Sequence, residues 1–317
     1  MIVRPADDPV LRVIGGSARA IRLGRGSAPL DLALPMPLGE PLLALGGHMK
    51  VAIGLGMKKR AVLSPHIGDL DSPRSLDVFA RLAADLPRLY GVTPRRLVCD
   101  AHPAYASTRW ARRQGLPVMR VQHHAAHASA LAAEHPEIER WLVFAWDGAG
   151  YGDDGTLWGG EALLGRPGRW RRVASFCPFR PPGGDLAARA PWRSAAALMW
   201  QAGRSYHPPL AEELSQLSWA AWKKGINAPA TSAAGRLFDA AATLITGIDE
   251  ASFEGQAAME LESLAETSNR AMGDAISLPL AADASGVLRT DWNPLLDMLT
   301  DTSVCAGGLR SQGKSAV

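Results

Sequence analysis

VQHHAAHASALAAEHPEIERWLVFAWDGAGY, residues 121–151, is the stretch of the sequence that decides the fold. Residues 125–134 are rich in alanine and leucine, which are strong helix formers. Residues 141–146 are a short apolar run of the kind that forms a buried strand. A helix followed by a buried strand predicts an α/β protein, and open α/β sheets bind ligands at the carboxyl ends of their strands.

Two histidines and an aspartate in this stretch form a candidate metal site. His123 and His127 are four residues apart, so both imidazoles lie on one helix face, about one turn apart. Asp147 follows the predicted strand, and three such ligands leave open positions on a divalent cation, as a catalytic site requires. The histidine pair could instead be a chance pair on a helix surface, and Asp147 with Gly148 could simply form a turn.

The composition is that of an ordinary globular protein. Of 317 residues, 47% are hydrophobic and 21% are charged, which is enough chain for two domains. The net charge of +3 comes from scattered residues, so nothing indicates a nucleic-acid-binding protein. Cys99, Cys177 and Cys305 form no CxxC pair, which favours free thiols in a reducing cytoplasm. We expect neither a signal peptide nor a membrane span.

Predicted strands and helices alternate between residues 42 and 147. Ser72 and Pro73 begin a helix, because serine is a favoured N-cap and proline is favoured at the first helical position. Residues 96–100 form a buried strand, which a short helix and another strand follow. This alternation predicts a twisted mixed sheet with helices outside. Residues 30–46 are interpreted as a proline-rich linker.

Several motifs resemble the HypF-type hydrogenase-maturation carbamoyltransferases, in their C-terminal carbamoyl-transfer domain. VQHHAAHASALAAEH followed by DGAGYGDDGTLWGGE carries most of this resemblance. It continues in SPHIGDL, DAHPAY, PWR, TSAAGRLFD and SFEGQAAMELE, which begin at residues 64, 100, 191, 231 and 252. The resemblance implies an α/β fold of the actin-like ATPase (ribonuclease H-like) type, a mixed sheet with flanking helices, whose second half is incomplete.

The resemblance also implies a domain organisation. Residues 1–29 would be the remnant of a preceding YrdC-like domain with its exit segment, and 30–299 the carbamoyltransferase domain. Within it, the first lobe would span about 40–178 and a helical part of the second lobe about 179–299. Residues 300–317 would be a flexible tail. Because family members continue with a glycine-rich nucleotide turn and a further metal-binding aspartate, we expect a truncated transfer domain.

A pattern at residues 308–315 matches the phosphate-loop motif GxxxxGK[ST]. That motif requires a following helix whose N-terminus faces the phosphates, and only two residues remain after it. We therefore interpret it as a chance match.

The resemblance implies transfer of a carbamoyl group from carbamoyl-adenylate to the C-terminal cysteine of a HypE-type partner, for synthesis of the cyanide ligand of nickel–iron hydrogenase. Separate adenylate-forming modules are further candidate partners, whereas nucleic acid and membranes are not expected. His123, His127 and Asp147 would hold iron or zinc. ATP or carbamoyl-adenylate would contact Gly148, Gly150, Tyr151, Asp239, Glu254 and Gly255, with Asp239 on the ribose. No residue is assigned as catalytic.

Alternatives remain open at this point. The chain could be a truncated, inactive fragment that at most binds nucleotide or a partner, or it could be a small-molecule O-carbamoyltransferase. Asp239 could be an ordinary solvated helix residue. Lys50, His66 and Asp69 match family segments and are candidates near the cleft, with structural roles equally open.

Overall fold

A computed structural model describes residues 6–267 and 276–300. The chain divides into two compact units, Met1–Ile138 and Glu139–Val317. The phosphate-loop match, and all of the predicted tail after residue 300, lie outside the described residues. Among the helices of the described ranges, none combines the length and hydropathy that a transmembrane span needs.

The first unit is a mixed α/β structure. Its strands are β1 (Val10–Ile14), β2 (Ser17–Arg22), β3 (Leu30–Ala33), β4 (Leu42–Ala44), β5 (Gly54–Met57), β6 (Arg60–Leu63), β7 (Arg96–Asp100) and β8 (Val118–Val121). Its six-stranded sheet has the order β3-β6-β5-β4-β7-β8, with β4, β7 and β8 mutually parallel, and β1 and β2 form a separate hairpin. Its helices are α1 (Pro73–Leu89), α2 (Ala106–Ala111) and α3 (His123–Glu134).

Helix α1 begins and packs as its sequence predicts. The Ser72 side chain caps the helix by accepting a hydrogen bond from the Ser75 backbone N–H. Phe79, Ala83 and Leu86 recur at helical spacing and are buried. They pack into one core with buried residues of the sheet strands and of the segments that adjoin them, chiefly Leu45, Ile53, Leu55, Val62 and Leu97.

The predicted linker over residues 30–46 is wrong in part. Strand β3 pairs antiparallel with β6, and β4 lies inside the sheet between β5 and β7. Pro35, Pro37 and Pro41 all lie between these two strands. Proline therefore marks the connection correctly, whereas the short apolar runs on either side of it gain hydrogen bonds from neighbouring strands.

The second unit combines a five-stranded sheet with five α-helices among its described residues. Its strands are β9 (Trp141–Tyr151), β10 (Leu157–Gly165), β11 (Arg171–Phe176), β12 (Leu280–Ala282) and β13 (Leu288–Thr290). Their order in the sheet is β12-β13-β11-β10-β9. Its α-helices are α4 (Trp192–Gln201), α5 (Glu212–Lys223), α6 (Ala234–Thr246), α7 (Gln256–Thr267) and α8 (Asn293–Thr300). One core of this unit joins helices α4, α6 and α8 with adjoining loop residues and includes Phe179, Ala195, Leu198, Ala240, Trp292 and Leu296.

The predicted turn at Asp147 and Gly148 is wrong, because β9 continues through both residues to Tyr151. The register between β9 and β10 shifts here, so that an irregularity in the strand replaces the expected reversal. At Gly159 on β10, an added Cβ would lie 2.7 Å from the Asp147 carbonyl oxygen and 2.8 Å from the Ala233 Cβ. Glycine at position 159 allows two backbone segments to pack closely. The sequence alone does not distinguish this role of a glycine from its role in a turn.

A buried polar network fixes the geometry of this sheet. Glu161 is fully buried and accepts hydrogen bonds from two backbone N–H groups of its own strand and from the Ser232 hydroxyl. Arg172 donates to Glu161 and to Asp154, and its guanidinium lies 4.2 Å from the centre of the Trp158 ring. The network therefore joins β10, β11, the hairpin turn and the segment that leads into α6.

We expect Glu161→Gln to lower the free energy of unfolding by about 3 kcal/mol, because it removes the fully buried one of the two carboxylates that neutralise the buried Arg172 guanidinium. Denaturant unfolding followed by tryptophan fluorescence measures this change. Glu213→Gln, the same chemical change on the exposed surface of α5, is the matched control. Equal stability of the two variants would show that the network is dispensable.

Candidate functional site

Helix α3 places His123 and His127 side by side in the first unit. The Nε2 atoms of the two rings are 3.2 Å apart. Two nitrogen ligands on one tetrahedral zinc ion, each about 2.0–2.1 Å from the metal, lie roughly 3.4 Å from each other. The pair is therefore spaced to bind a single metal ion through both Nε2 atoms.

The helix itself sets this arrangement. The Gln122 side chain caps α3 by accepting a hydrogen bond from the Ala125 backbone N–H at 2.7 Å. Helical spacing then stacks His123 below His127 on one face. His124 points into the core, where it is fully buried and its Nδ1 lies 3.0 Å from the Gln122 amide. Only two of the three clustered histidines therefore converge.

Asp100 is not among the site residues that the sequence motifs predict, yet it contacts one of them. It ends β7, its side chain is 5% exposed, and its Oδ2 lies 2.9 Å from Nδ1 of His123. Its Oδ1 accepts a hydrogen bond from the His102 backbone N–H at 2.8 Å. The DAHPAY motif, which begins at Asp100, could have indicated this residue, but 23 residues separate Asp100 from His123 in the sequence.

An aromatic stack lies beside Asp100. Tyr105 stacks on His102 at 4.0 Å between ring centroids, and on His48 at 5.3 Å. His48 also pairs with Asp71, at 2.8 Å from its Nε2. A Cβ added to Gly47 would lie 3.8 Å from the Tyr105 ring and 3.9 Å from Asp100 Oδ2, so the loop before His48 packs against this cluster.

The three candidates from the early part of the chain have visible structural contacts. Asp69 accepts a hydrogen bond from the Lys50 backbone N–H at 3.0 Å and so closes the loop between them. Lys50 has a positive φ of 51°. His66 donates its backbone N–H to Leu23, and burial lowers the pKa of its imidazole. Only the contact of Asp69 involves a side chain and supports a structural role, so the roles of the Lys50 and His66 side chains stay predictions.

In the second unit, the strand residues of the predicted nucleotide site contact the start of α6. Asp147 Oδ1 accepts a hydrogen bond from the Gly148 backbone N–H at 2.6 Å. A Cβ added to Gly235 would lie 2.9 Å from the α-carbon of Gly148, so α6 approaches β9 as closely as backbone allows. Gly150 and Tyr151 follow on β9 and pair with β10. The role of Asp147 as a metal ligand stays a prediction.

Asp239 is a buried residue of α6 and not a solvated one, being only 5% exposed. Its Oδ2 lies 2.8 Å from a guanidinium nitrogen of Arg236. Burial raises the pKa of Asp239 to about 6, and the Arg236 charge opposes this rise without cancelling it. The Nε of Arg236 is also buried, and no hydrogen-bond partner for it lies in the described ranges.

Glu254 and Gly255 lie in the exposed loop before α7. Gly255 has a φ of +79°, a left-handed conformation that glycine adopts without steric cost. Contact of either residue with a nucleotide stays a prediction, as does the ribose contact of Asp239.

Comparison with known proteins identifies the family. The model of the HypF Kae1-like domain matches residues 38–134, and that of the second subdomain of the carbamoyltransferase Kae1-like domain matches residues 143–308. This chain belongs to the HypF carbamoyltransferase family. The resemblance inferred from its sequence motifs is thereby confirmed.

Two relatives show how much of a HypF protein this chain spans. It is 38% identical to carbamoyltransferase HypF of Synechocystis sp., over 94% of this chain and 41% of the relative. It is 34% identical to a carbamoyltransferase HypF homolog of Cupriavidus necator, over 84% of this chain and 69% of that relative. The chain thus spans less than half of the first relative and most of the second.

Solved structures confirm the α/β fold with mixed sheets and flanking helices. The structure of full-length HypF in its phosphate- and nucleotide-bound form matches with a TM-score of 0.87 and 30% identity, over 97% of this chain and 48% of that one. HypF of T. kodakarensis matches with a TM-score of 0.78 and 26% identity, over 96% of this chain and 41% of that one.

We expect Gly235→Ala to destabilise the second unit by about 1–2 kcal/mol. Alanine normally stabilises a helix by up to about 1 kcal/mol relative to glycine, but overpacking against the Gly148 backbone costs about 1–3 kcal/mol and outweighs that gain. Denaturant unfolding measures the change. Gly148→Ala is the matched control, because its added Cβ would lie 3.9 Å from Arg236, an ordinary contact distance. A Gly235→Ala protein as stable as wild type would contradict the close packing.

Asp239 makes stability depend on pH. Its folded-state pKa of about 6 exceeds the ordinary value of 3.8, so the folded protein binds more protons than the unfolded chain between these values. The free energy of unfolding therefore falls as pH rises from about 4 to about 6, by up to roughly 3 kcal/mol.

Asp239→Asn should remove this part of the pH dependence. Unfolding free energies at about pH 4 and pH 7 measure it in both proteins. The exposed Glu213→Gln variant should keep the wild-type dependence. An unchanged pH profile in Asp239→Asn would rule out a raised pKa at this residue.

Proposed function

We propose that this chain carries out the carbamoyl-transfer step of nickel–iron hydrogenase maturation. The observation that carries the proposal is the pair of Nε2 atoms of His123 and His127, 3.2 Å apart, in a chain 38% identical to a carbamoyltransferase HypF. The donor would be carbamoyl-adenylate, and the acceptor would be the C-terminal cysteine of a HypE-type maturation protein. The carbamoyl-adenylate could come from separate adenylate-forming modules.

The residues proposed to hold a metal suit iron or zinc. Two imidazole nitrogens and one carboxylate, from His123, His127 and Asp147, are a ligand set that both ions accept, with positions left open for substrate. A bound ion would polarise the acyl group and orient phosphate oxygens.

The second unit is proposed to bind the nucleotide. The N-terminus of α6 lies against the Gly148 backbone, and helix N-termini attract phosphate groups. Arg236, whose Nε is buried without a hydrogen-bond partner in the described ranges, would add a cationic donor for the phosphate. Asp239, ionised above pH 6, would accept the ribose hydroxyls. A related full-length HypF was solved in a phosphate- and nucleotide-bound form, which supports nucleotide binding within the family.

The other residues of the predicted nucleotide site are proposed from their positions in the fold. Gly150 and Tyr151 lie on the same strand as Gly148, so their backbone would lie close to a phosphate bound at Gly148. Glu254 and Gly255 are proposed to border the nucleotide because their loop is exposed and glycine permits close backbone approach.

The transfer step balances without any further reactant. The acceptor thiolate attacks the carbonyl carbon of carbamoyl-adenylate, a C–S bond forms, and the bond from carbon to the phosphate oxygen breaks. AMP leaves with the electron pair, and the thiol proton passes to solvent or a base. The two thiols within the described residues, those of Cys99 and Cys177, are poor nucleophiles, because burial raises the pKa of both. Both are free, which supports the proposed cytoplasmic location.

We expect the purified chain to bind about one divalent metal ion and an ATP analogue. His123→Ala should lose the metal, because removing one of the two imidazoles leaves too few ligands. Metal analysis and calorimetric titration measure both properties. His135→Ala is the control, since this exposed histidine ends α3 and pairs with Glu137 at 3.5 Å.

Two outcomes would decide against the proposed transfer step of hydrogenase maturation. A folded wild-type chain that binds neither metal nor nucleotide would favour the alternative of an inactive fragment. A loaded chain that carbamoylates small hydroxylated molecules, but not a peptide ending in the HypE-type cysteine, would favour the O-carbamoyltransferase alternative.

A further inference from the structure

We propose that Asp100 is a positioning residue, which keeps the His123 proton on Nδ1 and so leaves the Nε2 lone pair available for a metal ion. This inference rests on the proposed metal site. It adds Asp100, a residue of strand β7, which would act on the metal site through its hydrogen bond to His123 and would not contact the metal itself.

Strand pairing brings Asp100 to the histidine. Strands β7 and β8 are parallel, and Asp100 pairs in register with Val121, the last residue of β8. The backbone N–H of Ala101 continues this pairing by donating to the Val121 carbonyl at 2.9 Å. Only Gln122 separates Val121 from His123, so the sheet holds the carboxylate beside the first turn of α3.

The two carboxylate oxygens of Asp100 have separate partners. Oδ1 accepts the His102 backbone N–H at 2.8 Å, which fixes the rotation of the carboxylate. Oδ2 then faces Nδ1 of His123 at 2.9 Å. An ionised carboxylate can only accept hydrogen bonds, so Nδ1 must be the protonated nitrogen of that ring. The proton is thereby kept off Nε2, the atom that faces His127.

Burial makes this preference strong. The Asp100 side chain is 5% exposed, and the His123 side chain is 28% exposed. Water therefore competes weakly for the hydrogen bond between them, which is stronger in such surroundings than at the surface. Partners of this kind orient metal-binding histidines, and their loss lowers metal affinity by about 10–100-fold.

Asp100→Asn should reverse the tautomer. The asparagine side chain has a single acceptor oxygen, which the His102 N–H would occupy. Its NH₂ group would then face Nδ1 of His123 and require a lone pair there, which moves the ring proton to Nε2. That nitrogen could no longer bind metal without first losing its proton.

The first readout is the tautomer of His123 in metal-free protein, from imidazole ¹⁵N shifts at about pH 9, above the ordinary histidine pKa of about 6.5. We expect protonated Nδ1 in wild type and protonated Nε2 in Asp100→Asn. Protonated Nε2 in the wild-type protein would overturn the proposal. This result needs no variant to fold and no metal to bind, so it is separate from any failure of the proposed function.

The second readout is zinc affinity by titration of the full chain. Asp100→Asn should bind zinc about 10–100-fold more weakly than wild type. Asp71→Asn is the matched control, because it makes the same chemical change at an aspartate that pairs with another histidine, His48, at 2.8 Å. Wild-type affinity in Asp100→Asn, or an equal loss in Asp71→Asn, would refute the positioning role.

Discussion

Parallel pairing of β7 with its neighbours is the constraint on which the candidate site of the first unit depends. Parallel strands bring their carboxyl ends to one edge of the sheet, so residues that follow them meet there. Asp100 at the end of β7 and His123 after the end of β8 become neighbours for this reason. The same edge receives the loop at Gly47, which packs beside Asp100 and Tyr105.

A second constraint, steric rather than topological, governs the second unit. Gly159 and Gly235 allow β10 and α6 to approach the backbone at Asp147 and Gly148 more closely than any side chain would permit. This contact places a helix N-terminus beside a strand whose residues carry the family motif. Close backbone packing thus brings the partial positive charge of the helix to the proposed phosphate position.

Two buried ion pairs of the second unit differ in how fully they are satisfied. Glu161 and Arg172 share their polar atoms with backbone, Ser232 and Asp154, as expected for a structural network. Arg236 and Asp239 also form an ion pair. However, the buried Nε of Arg236 has no hydrogen-bond partner in the described ranges, and burial raises the pKa of Asp239, so the pair does not fully compensate for its burial. Buried polar groups are normally paired, so this remaining hydrogen-bonding capacity is consistent with a ligand site.

The sequence by itself determined the α/β class, helix α3 and the pairing of His123 with His127, because these follow from local helix propensity and spacing within one turn. Tertiary structure alone decided three other features. Glycines near Asp147 serve close packing and not a turn, short runs beside prolines pair as β3 and β4, and Asp100 contacts His123. Each depends on contacts between segments that are far apart in the sequence, and local helix or strand propensity does not specify those contacts.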